Sequence, residues 1–238
     1  MANNDIDIKD LLAAGAHFGH KTERWHPKMA PYIHSNRNGT HIIDLTKTKD
    51  NLEQALSFIE KTASESKQIL FVGTKRQAQE TVKTTAIELG MPYVTERWLG
   101  GMLTNWNTIG ARVKYLQELE NRLASGELAN KYSKLEVQRY QEEIARLDKI
   151  YGGIKSLNKK PGAIFVVDVI NDANAVKEAK KIGIPIVALV DTNADPIGIT
   201  YPIPSNDDAI KTIKLMLDYI KKAVNNGKSK IKSEAKTT

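Results

Sequence analysis

Two continuous apolar runs, each followed by an aspartate, constrain the fold of this chain more than any other feature of its sequence. Residues 163–167 precede Asp168, and residues 184–190 precede Asp191. A strand that is apolar at nearly every position is typical of a parallel sheet covered by helices on both faces. Residues 173–181 lie between the two runs and have a helical pattern. The two runs therefore predict a β-α-β unit of an α/β protein.

The remainder of the chain continues this alternation of strands and helices. The pattern predicts strands at 41–45, 68–72 and 93–94, and helices at 49–63, 74–89 and 207–224. Alternation of this kind predicts a doubly wound, mainly parallel sheet.

One segment, residues 108–153, contains no strand candidate. Apolar residues three and four positions apart form two stripes, which is the spacing of a coiled-coil seam. The stripes comprise Ile109, Val113, Leu116, Leu119 and Leu123, followed by Val137, Tyr140, Ile144, Leu147, Tyr151 and Ile154. We therefore predict an antiparallel coiled-coil hairpin at 108–153, inserted into an α/β domain of residues 1–107 and 154–226. The lysine-rich residues 227–238 are predicted to be a disordered basic tail.

Composition narrows the class of partner. The formal net charge is +7 and the sequence pI is about 9.3, which predicts attraction to nucleic acid, although solubility alone would also explain a basic balance. The chain has no cysteine and no apolar run long enough to span a bilayer, and its first residues lack the pattern of a signal peptide. We therefore expect a cytoplasmic protein without a membrane partner.

Three basic segments are candidates for RNA binding. The first combines lysine and arginine with tryptophan, the second follows a predicted strand as Gly-Thr-Lys-Arg at 73–76, and the third contains a glycine pair at 100–101. Such segments can contact phosphates and stack on bases, but a capped helix and a core tryptophan are the ordinary alternatives. The candidate RNA-binding residues are Lys21, Arg24, Trp25, Lys28, Arg37, Lys75, Arg76, Arg97 and Asn105.

A metal site is a second candidate. Asp191 ends a predicted strand and Asp207 begins the last predicted helix, so both should lie at the carboxyl edge of the sheet. If the N-terminal segment crosses that edge, His20 could join them to hold one divalent ion. Aspartates at such edges also occur simply as helix caps and turn formers.

The sequence contains no motif for catalysis. It lacks cysteine, a nucleophile elbow and the glycine spacing of a nucleotide-binding loop. We therefore predict a non-enzymatic protein without an organic cofactor or small-molecule substrate. A metal- or nucleotide-dependent enzyme and a free RNA-binding protein are the alternatives.

Eight short motifs then give the chain a family resemblance. From about Ile8 to Val224 it resembles the bacterial small-subunit ribosomal protein S-two family. The motifs are residues 15–20 (GAHFGH), 25–29 (WHPKM), 41–45 (HIIDL), 71–76 (FVGTKR), 97–106 (RWLGGMLTNW), 190–193 (VDTN), 195–196 (DP) and 204–210 (PSNDDAI).

This resemblance implies a flavodoxin-like α/β fold with an inserted coiled-coil hairpin. It implies a structural role in the small ribosomal subunit and in translation, binding 16S ribosomal RNA between head and body beside neighbouring ribosomal proteins. It also implies help in docking ribosomal protein S-one. Some relatives hold a divalent ion, in most cases zinc, at residues that correspond to His20, Asp191 and Asp207 here, so the expected ion is zinc or magnesium. Many relatives have an acidic C-terminus, whereas this one is short and rich in lysine.

Overall fold

The computed structural model describes residues 6–157 and 159–234. Its helices are α1 (Ile8–Ala14), α2 (Leu45–Ser64), α3 (Gln79–Leu89), α4 (Trp106–Ala124), α5 (Glu127–Lys131), α6 (Lys134–Tyr151), α7 (Ala173–Ile182) and α8 (Ile210–Glu234). Its strands are β1 (Phe18–Lys21), β2 (Ile33–Arg37), β3 (Thr40–Ile43), β4 (Ile69–Val72), β5 (Tyr93–Val94), β6 (Ala163–Val166), β7 (Ile186–Val190) and β8 (Tyr201–Pro204). Within the described residues, no helix combines the length and apolar character that crossing a bilayer requires.

The five later strands form one parallel sheet. Its order is β5-β4-β6-β7-β8, and every neighbouring pair is parallel. Numbered within the sheet, this is the order 2-1-3-4-5 of flavodoxin-like proteins. The predicted α/β class and parallel sheet are confirmed. Strand β8 was not predicted, because its Tyr-Pro-Ile-Pro sequence reads as a loop, and proline is tolerated there because β8 is an edge strand.

Side chains alternate between two buried clusters on opposite faces of this sheet. Ile69 and Phe71 face a cluster that includes residues of α2, α3 and α8, whereas Leu70 and Val72 face a cluster that includes residues of α4, α6 and α7. This alternation follows from the period of two in a strand. Both faces are therefore covered, which explains why the central strands are apolar throughout.

A smaller antiparallel sheet, β1-β3-β2, precedes the parallel one. Asn38 and Gly39 connect β2 to β3, with φ angles of 51° and 75°. Asn-Gly in this conformation is a favoured two-residue hairpin connection. The prediction of a strand at 41–45 is therefore corrected: β3 ends at Ile43 and belongs to this separate sheet. Asp44 instead caps α2, accepting a hydrogen bond from the Thr46 N–H at 3.0 Å.

The segment 108–153 is helical, as the absence of strand candidates predicts. The stripe residues of α4 and α6 are buried or partly buried, and Leu116 and Leu119 are almost completely so. Leu116 and Leu119 belong to the same apolar cluster as Leu70 and Val72 of β4, on the second face of the parallel sheet. Lys155 forms ion pairs with both Glu120 of α4 and Asp148 of α6. The coiled-coil geometry of this segment and the division into domains stay predictions.

Helix α8 is longer than the sequence predicts. The sequence predicts that the last helix ends at residue 224, but α8 continues through Gly227 to Glu234. The disorder predicted over 227–238 is therefore corrected for residues 227–234, while 235–238 lie outside the described residues. Close packing is the physical reason: a Cβ on Gly227 would collide with the Glu60 carbonyl oxygen and lie 2.7 Å from the Ala63 Cβ of α2. Lys228 also donates a hydrogen bond to the Leu89 carbonyl oxygen.

Candidate functional site

The N-terminal segment crosses the carboxyl edge of the parallel sheet. The backbone N–H of His26 donates to the Thr192 carbonyl oxygen at 2.7 Å. The N–H of His20 donates to the Thr192 hydroxyl at 2.8 Å. Lys28 Nζ bonds Asp195 Oδ2 at 2.8 Å. These contacts bring the histidine-rich segment against the loop after β7, as the metal-site prediction requires.

Three side chains at this edge can offer ligands to one ion. Ligand atoms of His20, Asp191 and Asp208 all lie within 4.8 Å of one another. His20 Nδ1 is 3.0 Å from Asp191 Oδ1 but is not aligned for a hydrogen bond, and its Nε2 is 3.4 Å from Asp208 Oδ2. The Asp191 carboxylate raises the pKa of His20, against the opposing effect of burial. The structure therefore assembles two of the three predicted residues and replaces the third with Asp208.

Asp207 has a different partner. Its Oδ1 accepts a hydrogen bond from Lys75 Nζ at 2.6 Å, and burial together with Asp168 and Asp191 raises the pKa of its carboxyl to about 7. The Lys75 ammonium also lies 3.1 Å from Asp168 Oδ2 and 2.6 Å from Asp208 Oδ1. Burial acts to lower the pKa of Lys75, but these carboxylates outweigh it and raise the pKa above its ordinary value.

Lys75 is thus placed differently from the predicted RNA contact. Its side chain is only 15% exposed, and its charge is neutralised within the protein. The neighbouring Thr74 donates from its N–H and its hydroxyl to Asp172, at 3.1 and 2.7 Å. The expected phosphate-binding corner at 73–76 therefore holds carboxylates of the protein itself. Thr74 does not cap a helix, because α3 begins only at Gln79.

The small antiparallel sheet presents cations that the protein does not neutralise. The side chains of Lys21, Arg24 and Arg37 are exposed and form no hydrogen bond or ion pair with any described residue. Thr40 of β3 pairs with Lys21 of β1 on one side and with Arg37 of β2 on the other. Two strand spacings separate Lys21 from Arg37, about 10 Å between backbones. The sheet therefore groups two cations that are 16 positions apart in the chain.

The other predicted RNA contacts do not belong to this group of cations. Trp25 is 38% exposed and its ring packs 5.2 Å from that of His41. Lys28 is exposed but paired with Asp195. Arg76 and Arg97 are exposed and unpaired among the described residues, and Asn105 is exposed at the N-cap position of α4. The structure describes no single patch that includes all nine predicted residues.

Glu178 of α7 is a residue that sequence analysis missed. Its carboxylate accepts hydrogen bonds from the Trp98 indole N–H at 3.0 Å and from the backbone of the loop between β5 and α4. Burial acts to raise the pKa of Glu178, but these hydrogen bonds outweigh it and hold the pKa below its ordinary value. No sequence signal identifies it, because it is one glutamate in a charged helix 74 or more positions from its partners.

Comparison with known proteins places the chain in a family. The model of the family Ribosomal protein S2 matches residues 11–227. The chain belongs to the ribosomal protein S2 family. It is 50% identical to small ribosomal subunit protein uS2 of Roseiflexus sp. (strain RS-1), over 96% of this chain and 87% of the relative. It is 48% identical to small ribosomal subunit protein uS2 of Dehalococcoides mccartyi (strain ATCC BAA-2266 / KCTC 15142 / 195), over 98% of this chain and 95% of the relative.

Membership of this family confirms several predictions made from the residues. The family is ribosomal and structural, so the chain is not an enzyme. Its relatives are proteins of the small ribosomal subunit, in agreement with the predicted cytoplasmic location and role in translation.

Proposed function

We propose that this protein is a structural constituent of the small ribosomal subunit that binds 16S ribosomal RNA through the exposed face of its small antiparallel sheet. The observation that carries the proposal is a group of exposed cations that the protein does not neutralise: Lys21 and Arg37 lie on that sheet, and Arg24 ends the short helical turn that follows β1. The Thr192 hydroxyl accepts a hydrogen bond from the His20 N–H of β1, which ties the small sheet to the loop after β7. The ion pair of Lys28 with Asp195 ties the segment between β1 and β2 to the same loop. Cations on a rigid support fix the position of phosphates without reading the base sequence.

The resemblance supports the finer parts of the proposal. We infer that the protein lies between the head and body of the subunit, where it contacts RNA of both and neighbouring ribosomal proteins. We also infer that it helps to dock ribosomal protein S-one. The helices α4 and α6 are proposed to form the coiled-coil hairpin of the family, and their polar outer faces are available for RNA or protein contact.

Sedimentation tests the proposal directly. Tagged protein from a cell lysate is expected to sediment stoichiometrically with small subunits and whole ribosomes in a sucrose gradient at moderate salt. Rising salt should release it steeply, because each neutralised phosphate frees condensed counterions on binding. Recovery only at the top of the gradient at every salt concentration would instead indicate a protein that acts outside the ribosome.

We further propose that His20, Asp191 and Asp208 hold one zinc ion. One imidazole nitrogen and two carboxylate oxygens suit zinc better than magnesium, which prefers oxygen ligands alone. The ligand atoms are already within 4.8 Å, so little rearrangement is needed. A bound ion would link the N-terminal segment to the loops after β7 and β8, and would supply structural stability rather than chemistry.

Two neighbouring variants distinguish the third ligand. Asp208→Asn is expected to weaken zinc binding by the full-length protein about 100-fold, because loss of even an outer-shell partner costs about 10- to 100-fold. Asp207→Asn should have a smaller effect, since the group of ligand atoms within 4.8 Å of one another includes an oxygen of Asp208 but none of Asp207. Zinc affinity is measured by competition with a chromophoric chelator. A larger effect of Asp207→Asn would restore the ligand set predicted from sequence, and no zinc binding by the unsubstituted protein would refute the site.

A further inference from the structure

One carboxylate of α7 organises the whole loop between β5 and α4. Glu178 Oε1 accepts hydrogen bonds from Trp98 Nε1 at 3.0 Å and Gly101 N at 2.7 Å. Its Oε2 accepts from Leu103 N at 3.0 Å and from both the N–H and the hydroxyl of Thr104 at 3.1 Å. The two oxygens thus accept five hydrogen bonds from four residues, which is enough to fill all of the about four lone-pair sites of a carboxylate.

The loop is also held by the buried side chains of Trp98 and Met102 and by a hydrogen bond from the Asn105 N–H to the Gly101 carbonyl oxygen at 2.8 Å. The N–H groups of Gly101, Leu103 and Thr104, however, bond Glu178. Gly101 has a φ of 91°, a region that L side chains rarely adopt, and the turn places successive N–H groups toward Glu178. Without the carboxylate, these donors would lose their acceptor, which is costly for groups that are partly buried. The negative charge also strengthens each bond relative to a neutral acceptor.

Two candidate RNA contacts flank this loop. Arg97 immediately precedes Trp98, and Asn105 immediately follows Thr104. Arg97 is exposed and forms no bond with a described residue. Asn105 is exposed, and its Oδ1 accepts a hydrogen bond from the Thr108 hydroxyl at 3.1 Å, which leaves its amide N–H₂ directed away from that contact. The Glu178 bonds therefore begin and end one residue from the two predicted contacts.

We infer that Glu178 is a positioning residue for RNA binding, which fixes the loop so that Arg97 and Asn105 meet the RNA backbone in one geometry. This inference rests on the proposed function. A loop held in its bound conformation loses less conformational entropy when it binds. Glu178 itself does not contact RNA, because its oxygens are occupied by the loop.

The sign of the effect makes the inference testable. Glu178→Gln removes a negative charge, so long-range electrostatics alone predicts tighter binding to RNA. A positioning role predicts weaker binding to RNA. The glutamine amide replaces one acceptor oxygen with an NH₂ group, which faces the N–H donors of the loop and cannot accept their hydrogen bonds. Glu88→Gln in α3 is the matched control: it removes the same charge and a surface ion pair with Lys221, on the other face of the sheet.

The experiment compares full-length variants in binding to small subunits prepared without this protein. Glu178→Gln and Arg97→Ala are each expected to raise Kd about tenfold and to lower the salt dependence by about one counterion, the loss expected for one phosphate contact. The double variant should bind no more weakly than Glu178→Gln alone, because Glu178→Gln already displaces Arg97 from its contact. Glu88→Gln should leave Kd unchanged or slightly lower.

The outcomes distinguish an error about the RNA contact from an error about the role of Glu178. If Arg97→Ala leaves Kd and its salt dependence unchanged while the protein still binds the subunit, the loop is not an RNA contact and this inference is wrong, whereas the proposed binding through the small antiparallel sheet stands. If the unsubstituted protein does not bind the subunit at all, the proposed function itself is wrong. If Arg97→Ala weakens binding but Glu178→Gln does not, the positioning role alone is wrong. Additive effects in the double variant would also refute it. Should Glu178→Gln fail to fold, as judged by circular dichroism, Thr104→Val removes only the hydroxyl donor and is expected to raise Kd about threefold.

Discussion

Lys75→Met is expected to lower the free energy of unfolding by about 3 kcal/mol, because it leaves a cluster of buried carboxylates without their cation. The Lys75 ammonium lies within 3.1 Å of Asp168, Asp207 and Asp208. Methionine preserves most of the length of the side chain but none of its charge. The expected value is at the lower end for a broken buried ion pair because Asp208 is 49% exposed and is therefore partly screened by water.

Thermal and urea unfolding measure this effect. For a chain of this size, the expected loss corresponds to a fall in Tm of about 6–12 °C. Lys83→Met in α3 is the matched control, because Lys83 is exposed and has no ion-pair partner among the described residues. Both measurements are made with a chelator present, so that a bound ion cannot replace the lost charge. Equal stability of the two variants would contradict the role assigned to Lys75.

Replacing Lys21, Arg24 and Arg37 together with glutamine is expected to weaken binding to the small subunit about 100-fold or more. Each charge-assisted contact contributes about 1 kcal/mol or more, and a factor of ten corresponds to about 1.4 kcal/mol. The slope of log K against log salt should fall by about two to three, because three phosphates are no longer neutralised. Stability should change little, since the three side chains are exposed and unpaired.

A second triple variant separates a specific surface from overall charge. Lys83, Lys211 and Lys214 are exposed on α3 and α8, and they have no ion-pair partner within the described residues. Their replacement with glutamine lowers the net charge by three, as the first triple variant does. The substituted residues lie on helices that cover the α2 face of the parallel sheet, away from the small antiparallel sheet. Binding is measured by cosedimentation across a salt series. Equal weakening by both triple variants would show that net charge, rather than the small sheet, determines affinity.

The sequence determined the class of fold because its strongest signals are local. The runs at 163–167 and 184–190 become buried central strands, since an uninterrupted apolar strand is stable only between two layers of helices. The stripes at 109–123 and 137–154 become helical faces that are buried or partly buried. The motifs were sufficient to identify the family, which the comparisons confirm. In each case the determining residues are neighbours along the chain.

The tertiary structure decided which distant residues act together. Asp207 and Asp208 are adjacent aspartates that the sequence does not distinguish. Only the fold shows that Lys75 bonds both and that Asp208 also has an oxygen near His20. The need for Gly227 at the crossing of α8 and α2 is equally invisible in a segment that otherwise resembles a solvated tail.

Glu178 gives the physical reason for this division. Secondary structure follows from periodicity over a few residues, whereas a hydrogen-bonded site depends on side-chain directions from elements far apart in sequence. Glu178 lies on the face of α7 that meets a loop 74 to 80 positions earlier in the chain. That meeting is set by the strand order, and by the helices that cover each face, rather than by any local pattern.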